Sequence, residues 1–213
     1  MTDEISRYGP VGLLIRPHRL TPAAVAEWIR LAYTDQVCEV VPGATTVLIE
    51  WHSSAACDVA MRELSELTIT APSNAENSDP PLVCPVVFDG PDLAEVATLI
   101  NTSEAEVIEL ITSATFQVAF CGFAPGFGYL TGLPEILHIP RRSTPRTRVE
   151  AGSMAIAAGY AAIYPSASPG GWHLLGTCDL PLWDLQADPP ALMAPGRQVR
   201  VSVADTDRPS RPK

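Results

Sequence analysis

The sequence predicts an α+β chain in two parts: a mixed helix-and-strand N-terminal part and a β-rich C-terminal part. Three observations predict it. Helical and strand-like segments alternate between residues 12 and 67. The polar, helix-breaking stretch "APSNAENSDPP", residues 71–81, then interrupts the pattern. After two further helical segments, only short strand-like pieces follow, punctuated by Pro-Gly and Gly-Gly turns. The chain holds 21 prolines in 213 residues. That is well above the usual share of roughly 5%, and it favours turns and strand edges over a helical bundle.

The elements follow in order. "GLLIRP" (Gly12–Pro17) reads as a strand. Thr21 then Pro22 starts a helix, with a hydroxyl cap followed by proline at the first helical position. "VCEVV" (Val37–Val41) and "TTVLIEW" (Thr45–Trp51) are strands joined by a "PGA" turn. Ser53 or Ser54 caps a second helix that runs to about Leu67. The order β-α-β-β-α lacks one strand of a ferredoxin-like unit. "LVCPVVF" (Leu82–Phe88) is the candidate, and it either completes this part or opens the next. The expected division is residues 1–80 with a linker over 71–81, residues 81–205, and a disordered tail over 206–213.

In the second part, "PDLAEVATLI" is a helix with an acidic first turn, and Ser103 with Glu106 forms a capping box for the next. Strands are expected at Phe116–Phe120, Met154–Ala158, Ala162–Tyr164, Trp172–Leu175 and Gln198–Val203.

Composition excludes several functions. A net charge of −10 repels phosphate backbones and argues against nucleic-acid binding. No apolar run reaches the ~18–20 residues of a membrane span. The acidic, polar start "MTDEISRYGP" is no signal peptide. Five scattered cysteines without a C-x-x-C pair suggest neither a disulfide framework nor zinc, and four histidines lack metal spacing. These features predict a reduced, cytoplasmic protein without a metal. The one lysine is Lys213. That closes the P-loop, the Schiff base, biotin attachment and the Ser-Ser-Lys amidase centre.

Three segments could carry chemistry. "FCGFAPGFGYLTG" (Phe120–Gly132) combines rings with glycines. Pro125-Gly126 suits a type II turn, and Phe123, Phe127 and Tyr129 form either a groove rim or a small local core. "IPRRSTPRTRVEAGS" (Ile139–Ser153) holds Arg141, Arg142, Arg146 and Arg148, four of thirteen arginines in an acidic chain. They either grip an anion or pair locally with Glu135 or Glu150. "IYPSASPGGWHLLGT" (Ile163–Thr177) holds Tyr164, then a Pro169-Gly170 turn signal, Gly171 and Trp172. Its glycines admit a ligand closely, or the segment is a plain hairpin. A Ser168–His173–Asp179 triad lacks the G-x-S-x-G elbow and is not expected.

These co-linear segments, with "GPDLAEVA" before them and "LMAPGRQVR" after, resemble the allophanate hydrolase subunit 1 family. That family includes the B-type subunit of 5-oxoprolinase and the Kip inhibitor of a histidine kinase. Equivalent segments form carboxyltransferase subdomains C and D of urea carboxylase. The resemblance runs from about residue 8 to residue 203. It implies a ferredoxin-like domain followed by a cyclophilin-like β-barrel. It implies a larger partner, like allophanate hydrolase subunit 2 or the C-type subunit of 5-oxoprolinase, and a third catalytic subunit. It implies ATP-driven hydrolysis of a small cyclic amide, 5-oxoproline to glutamate, with ATP used by the complex and inactivity of this chain alone. The alternative it implies is a regulatory module that docks on a sensor kinase. The implied groove comprises Phe123, Pro125, Gly126, Phe127, Tyr129, Arg141, Arg142, Arg146, Ser153, Tyr164, Pro169, Gly170, Gly171 and Trp172. Ile111, Tyr160, Ala162 and Glu150 depart from the family pattern. A prolyl isomerase reading would rest on fold analogy alone.

Overall fold

A computed structural model describes residues 3–66, 69 and 80–204. The chain forms two compact units, residues 1–78 and 79–213. Most of the expected linker and the whole expected tail lie outside the described residues.

The first unit contains β1 (Glu4–Tyr8), β2 (Gly12–Arg16), α1 (Pro22–Ala32), β3 (Val37–Pro42), β4 (Val47–Trp51) and α2 (Ser54–Glu66). Its antiparallel sheet has the order β1-β2-β4-β3. α1 starts as expected: Thr21 Oγ1 accepts from the Ala24 N–H at 3.3 Å, and Pro22 follows. Ser53, rather than Ser54, caps α2 by accepting from the Ala56 N–H at 3.1 Å. Alternate positions Val47, Ile49 and Trp51 face a core shared with Val25 and Ile29 of α1 and Cys57 and Leu64 of α2.

The fourth strand resolves what the sequence leaves open. It is β1, which precedes the other elements, and not Leu82–Phe88. The unit therefore runs β-β-α-β-β-α, which differs from the expected ferredoxin-like order. β1 escapes periodicity because Ile5 is its one residue that is not exposed.

In the second unit, β5 (Leu82–Val86) pairs in parallel with β13 (Gln198–Val203). Between them come α3 (Leu93–Leu99), α4 (Glu104–Ser113), β6 (Phe116–Cys121), β7 (Gly128–Thr131), β8 (Arg146–Val149), β9 (Ser153–Ala157), β10 (Tyr160–Ile163), β11 (Ser168–Gly170) and β12 (His173–Thr177). Seven of these strands form one sheet in the order β12-β9-β10-β7-β6-β13-β5, while β11 and β8 form a separate ribbon.

The sheet curls until its edges meet. Val87, just after β5, and Thr177 of β12 exchange both backbone hydrogen bonds at 2.8 Å. The Gly90 N–H then donates to Leu175 O at 3.1 Å. Glycine is needed at this seam. A Cβ on Gly176 would lie 2.3 Å from Val87 O, and one on Gly90 would lie 2.3 Å from Leu174 O. Inside the near-closed barrel sit Phe116, Leu130, Met154, Ile156, Ile163 and Val201, packed with Val96, Val107 and Ile111 of the two helices. The Ser103–Glu106 capping box forms, and hydrogen bonds from Thr102 and Ser103 push the Glu106 carboxyl down to about 2. No helix among the described residues is long and apolar enough to cross a membrane.

Gly176→Ala tests the seam. It should destabilise the protein by about 1–3 kcal/mol through forced backbone displacement, read as a lower urea midpoint. An unchanged midpoint would contradict so close an approach.

Candidate functional site

Strands β9 and β10 carry buried side chains on both faces. Met154 and Ile156 of β9 and Ala161 and Ile163 of β10 point into the barrel. Their neighbours Ala155, Ala157 and Ala162 point the other way, under a layer of rings. Alanines leave the outer face shallow, so large side chains can lie on it. Phe127 is the hub of this layer. Its ring centroid lies 5.1 Å from Tyr129, 5.2 Å from Tyr164, 5.3 Å from Phe123 and 5.9 Å from Trp172, mostly in edge-to-face geometry. Tyr129 also stacks on Phe120 at 4.3 Å and meets Tyr160 edge-on.

This layer floors a groove of about 290 Å³. Phe123 stands at its mouth, 62% exposed and with φ of 70°. A left-handed backbone at a bulky residue is strained, and such strain gathers at binding sites. The turn behind it forms as expected. The Phe127 N–H donates to Ala124 O at 3.0 Å, and Gly126 has φ of 78°. Gly126 is buried against Trp183, whose Cβ would be 2.8 Å from an added Cβ. Pro125 is exposed on the turn and does not line the groove, so it and Gly126 shape the wall from behind.

Pro169 and Gly170 line the opposite side, but they do not form the expected turn. They belong to β11, which pairs with β8, so Gly170 lies opposite Arg146. Gly170 has a steric role: an added Cβ would lie 2.4 Å from the Tyr164 hydroxyl. Burial pushes the Tyr164 phenol up, Tyr129 adds to this, and Arg141 and Arg146 oppose it. Trp172 is buried in the floor of the groove. Ser153 is buried in β9 and does not reach the groove.

The arginines divide into two groups. Arg142 and Arg146 are held by Asp92, a residue that sequence reasoning missed. Asp92 Oδ1 accepts from Arg142 Nη1 at 2.8 Å and from Arg146 Nη2 at 2.7 Å. Its Oδ2 accepts from the Leu174 N–H at 2.7 Å. Glu95 adds a second carboxylate to Arg142 at 2.5 Å. The main chain joins in, with the Arg142 N–H donating to Gly171 O at 2.8 Å. Arg148 pairs with Glu150 and lies outside the groove. Arg141 is exposed at the groove and makes no ion pair among the described residues.

Asp92 is nearly buried, with 2% exposure. Burial is the largest influence on its carboxyl and acts upward. The Arg146 hydrogen bond, the Leu174 N–H and the two guanidinium charges outweigh it and hold the group below the ordinary carboxylate range. Of the three expected groove arginines, one guanidinium is therefore available, Arg141, beside two that Asp92 and Glu95 hold. The serine–histidine–aspartate triad does not assemble either: His173 Nε2 donates to Pro140 O at 3.1 Å, and Ser168 Oγ has no partner among the described residues.

Residues 16–193 match the family model for the carboxyltransferase domain, subdomain C and D. The chain belongs to that family. Among carboxyltransferase-domain relatives, the B-type subunit of 5-oxoprolinase from Escherichia coli O157:H7 is 41% identical over 179 residues, 80% of each chain. The solved structure of TTHA0988 superposes with a TM-score of 0.77 at 31% identity, covering 95% of this chain but 41% of that one. The chain thus spans about two fifths of that protein's length. Kluyveromyces lactis urea carboxylase, at 19% identity and a TM-score of 0.65, shares the fold; 95% of this chain covers 22% of it.

Within this carboxyltransferase-type barrel, the unusual positions separate. Ile111 is fully buried in the barrel core, so its place is in packing rather than at the groove. Tyr160 and Ala162 lie in the ring layer and under it.

Two outcomes follow from the Asp92 cluster. Asp92→Ala leaves two guanidiniums with a lost buried partner and should cost about 3–5 kcal/mol. A group whose pKa is lowered by folding stabilises above its ordinary pKa, and that contribution is lost as pH falls through the folded value. The stability gap between wild type and Asp92→Ala should therefore be full at pH 7 and shrink below about pH 4. Equal unfolding curves at pH 7, or a gap that widens with acid, would refute the pairing. Gly126→Val should cost roughly 1–3 kcal/mol through its positive φ, checked by thermal melting.

Proposed function

We propose that this chain is the smaller subunit of an ATP-dependent 5-oxoprolinase-type complex, acting with a larger partner subunit on 5-oxoproline to give glutamate. The observation that carries the reading is the 41% identity to the B-type subunit of 5-oxoprolinase over four fifths of both chains. The groove is consistent with it. A five-membered lactam is small and flat and can lie against ring faces. Its carboxylate suits the Arg141 guanidinium, which makes no ion pair among the described residues, since charge-assisted hydrogen bonds are the strong ones. Arg142 and Arg146 act as a fixed frame behind it.

The carboxylates of Asp92 and Glu95 already engage Arg142, which leaves the groove one guanidinium for a polyanion. The chain also has no glycine-rich P-loop lysine. We therefore assign ATP to another subunit of the complex, together with the group that activates the amide. The chain's own contribution is to bind, orient and shield the substrate. Its partners are a larger subunit and a third, catalytic one.

Co-expression with those subunits, followed by an ATP-coupled glutamate-release assay, tests the reading. Wild type should turn over 5-oxoproline only with ATP. Arg141→Ala should raise KM about tenfold or more, for a lost interaction of roughly 1.5–3 kcal/mol, with Tm unchanged. No glutamate from the wild-type complex would overturn the substrate. Normal KM in Arg141→Ala would overturn the groove. Stoichiometric co-purification with a sensor kinase in place of the metabolic subunits would favour the kinase-docking alternative.

A further inference from the structure

The first unit carries a nucleophile and a base that the proposed function does not use. Cys38 lies on edge strand β3, and His52 directly follows β4. The register of these strands slips here, from Val37 opposite Trp51 to Glu39 opposite Glu50, so Cys38 is the extra residue of a β-bulge. Bulges re-aim side chains. Here the Cys38 Sγ comes to 2.9 Å from His52 Nδ1. Both residues are exposed. The His52 N–H donates to Gln36 O at 3.2 Å, so main-chain bonding holds His52 beside the bulge.

The other four cysteines are placed differently. Cys57, Cys84 and Cys178 are buried, and half-buried Cys121 directs its Sγ to Met193 O at 3.0 Å. One thiol of five is therefore both open to solvent and in contact with a base. A thiol within hydrogen-bond reach of an imidazole is the working arrangement of an activated sulfur nucleophile.

We propose that Cys38 is a thiol-modification site, with His52 as the base that assists it, and that its reaction partner is a low-molecular-weight disulfide. Cys38 Sγ attacks one sulfur of that disulfide while His52 Nδ1 takes the thiol proton. A new S–S bond forms to Cys38 and the original S–S bond breaks. The departing sulfur leaves as a thiolate and regains the proton from the imidazolium. Cys38 is oxidised and the leaving thiol is reduced, so no further oxidant is needed. The site is independent of the aromatic groove and survives or fails apart from it.

The test uses the full chain, mixed at pH 7 with an aromatic disulfide whose released thiolate is coloured, and then with glutathione disulfide. Peptide mass mapping identifies the modified residue. One thiol should react in a fast phase and map to Cys38. Cys38→Ser should remove the fast phase, and His52→Ala should slow it tenfold or more with Tm unchanged. Added free imidazole should restore much of the rate to His52→Ala, which a merely structural role of His52 would not produce. Absence of a fast phase in wild type, its survival in Cys38→Ser, or an unaltered rate in His52→Ala would each overturn the proposal.

Discussion

The groove depends on one buried carboxylate. Asp92 receives two guanidinium groups and one backbone N–H, each at 2.8 Å or less. A lone carboxylate at that depth would be expensive, and so would two half-buried arginines. Together they neutralise each other and join three parts of the second unit. Asp92 comes from the start of α3, the arginines from the segment around β8, and the Leu174 N–H from β12. The segment carrying Arg142 can therefore sit at a defined place beside Trp172. Arg141, its neighbour in sequence, is left facing the groove without a carboxylate partner among the described residues.

The second constraint is steric. A strand buried on both faces normally reads as large aliphatic residues throughout. Here one face is mostly aliphatic and the other is mostly alanine. The small residues hold the ring layer close to the sheet, and the rings then lock each other through mutual edge contacts. Glycines serve where chains touch: Gly170 against Tyr164, Gly126 against Trp183, and Gly90 and Gly176 along the barrel seam. This accounts for the mixture of rings and glycines between Phe120 and Gly132. The rings make a floor, and the glycines let neighbouring chains pass close enough to enclose it.

Much of this is legible in the sequence. Helix caps at Thr21 and Ser103 and the Pro125-Gly126 turn follow from local chemistry, whereas for Phe123, Phe127 and Tyr129 local chemistry leaves a groove rim and a small core both open. What stays hidden is non-local. Asp92 precedes a helix, so it reads as an N-cap, yet its side chain makes no cap hydrogen bond and goes instead to residues 50 and 54 positions away. Sequence patterns do not reveal such partners, and Arg142 and Arg146 therefore read either as anion-binding or as paired with the nearby Glu135 or Glu150. Pro169-Gly170 reads as a turn from dipeptide preference, but pairing with β8 draws it into a strand. β1 and β7 are short, and the first is exposed along almost its whole length, so neither has a periodicity to read.

The central claim is that Asp92 and its arginines act as one unit. A double-mutant cycle on unfolding free energy, with Asp92→Ala, Arg146→Ala and the double variant at pH 7, tests it most directly. The account predicts that the double variant costs less than the sum of the singles, by about 1–3 kcal/mol. Additivity within roughly 0.5 kcal/mol would contradict it, and the arginine segment would then need another anchor.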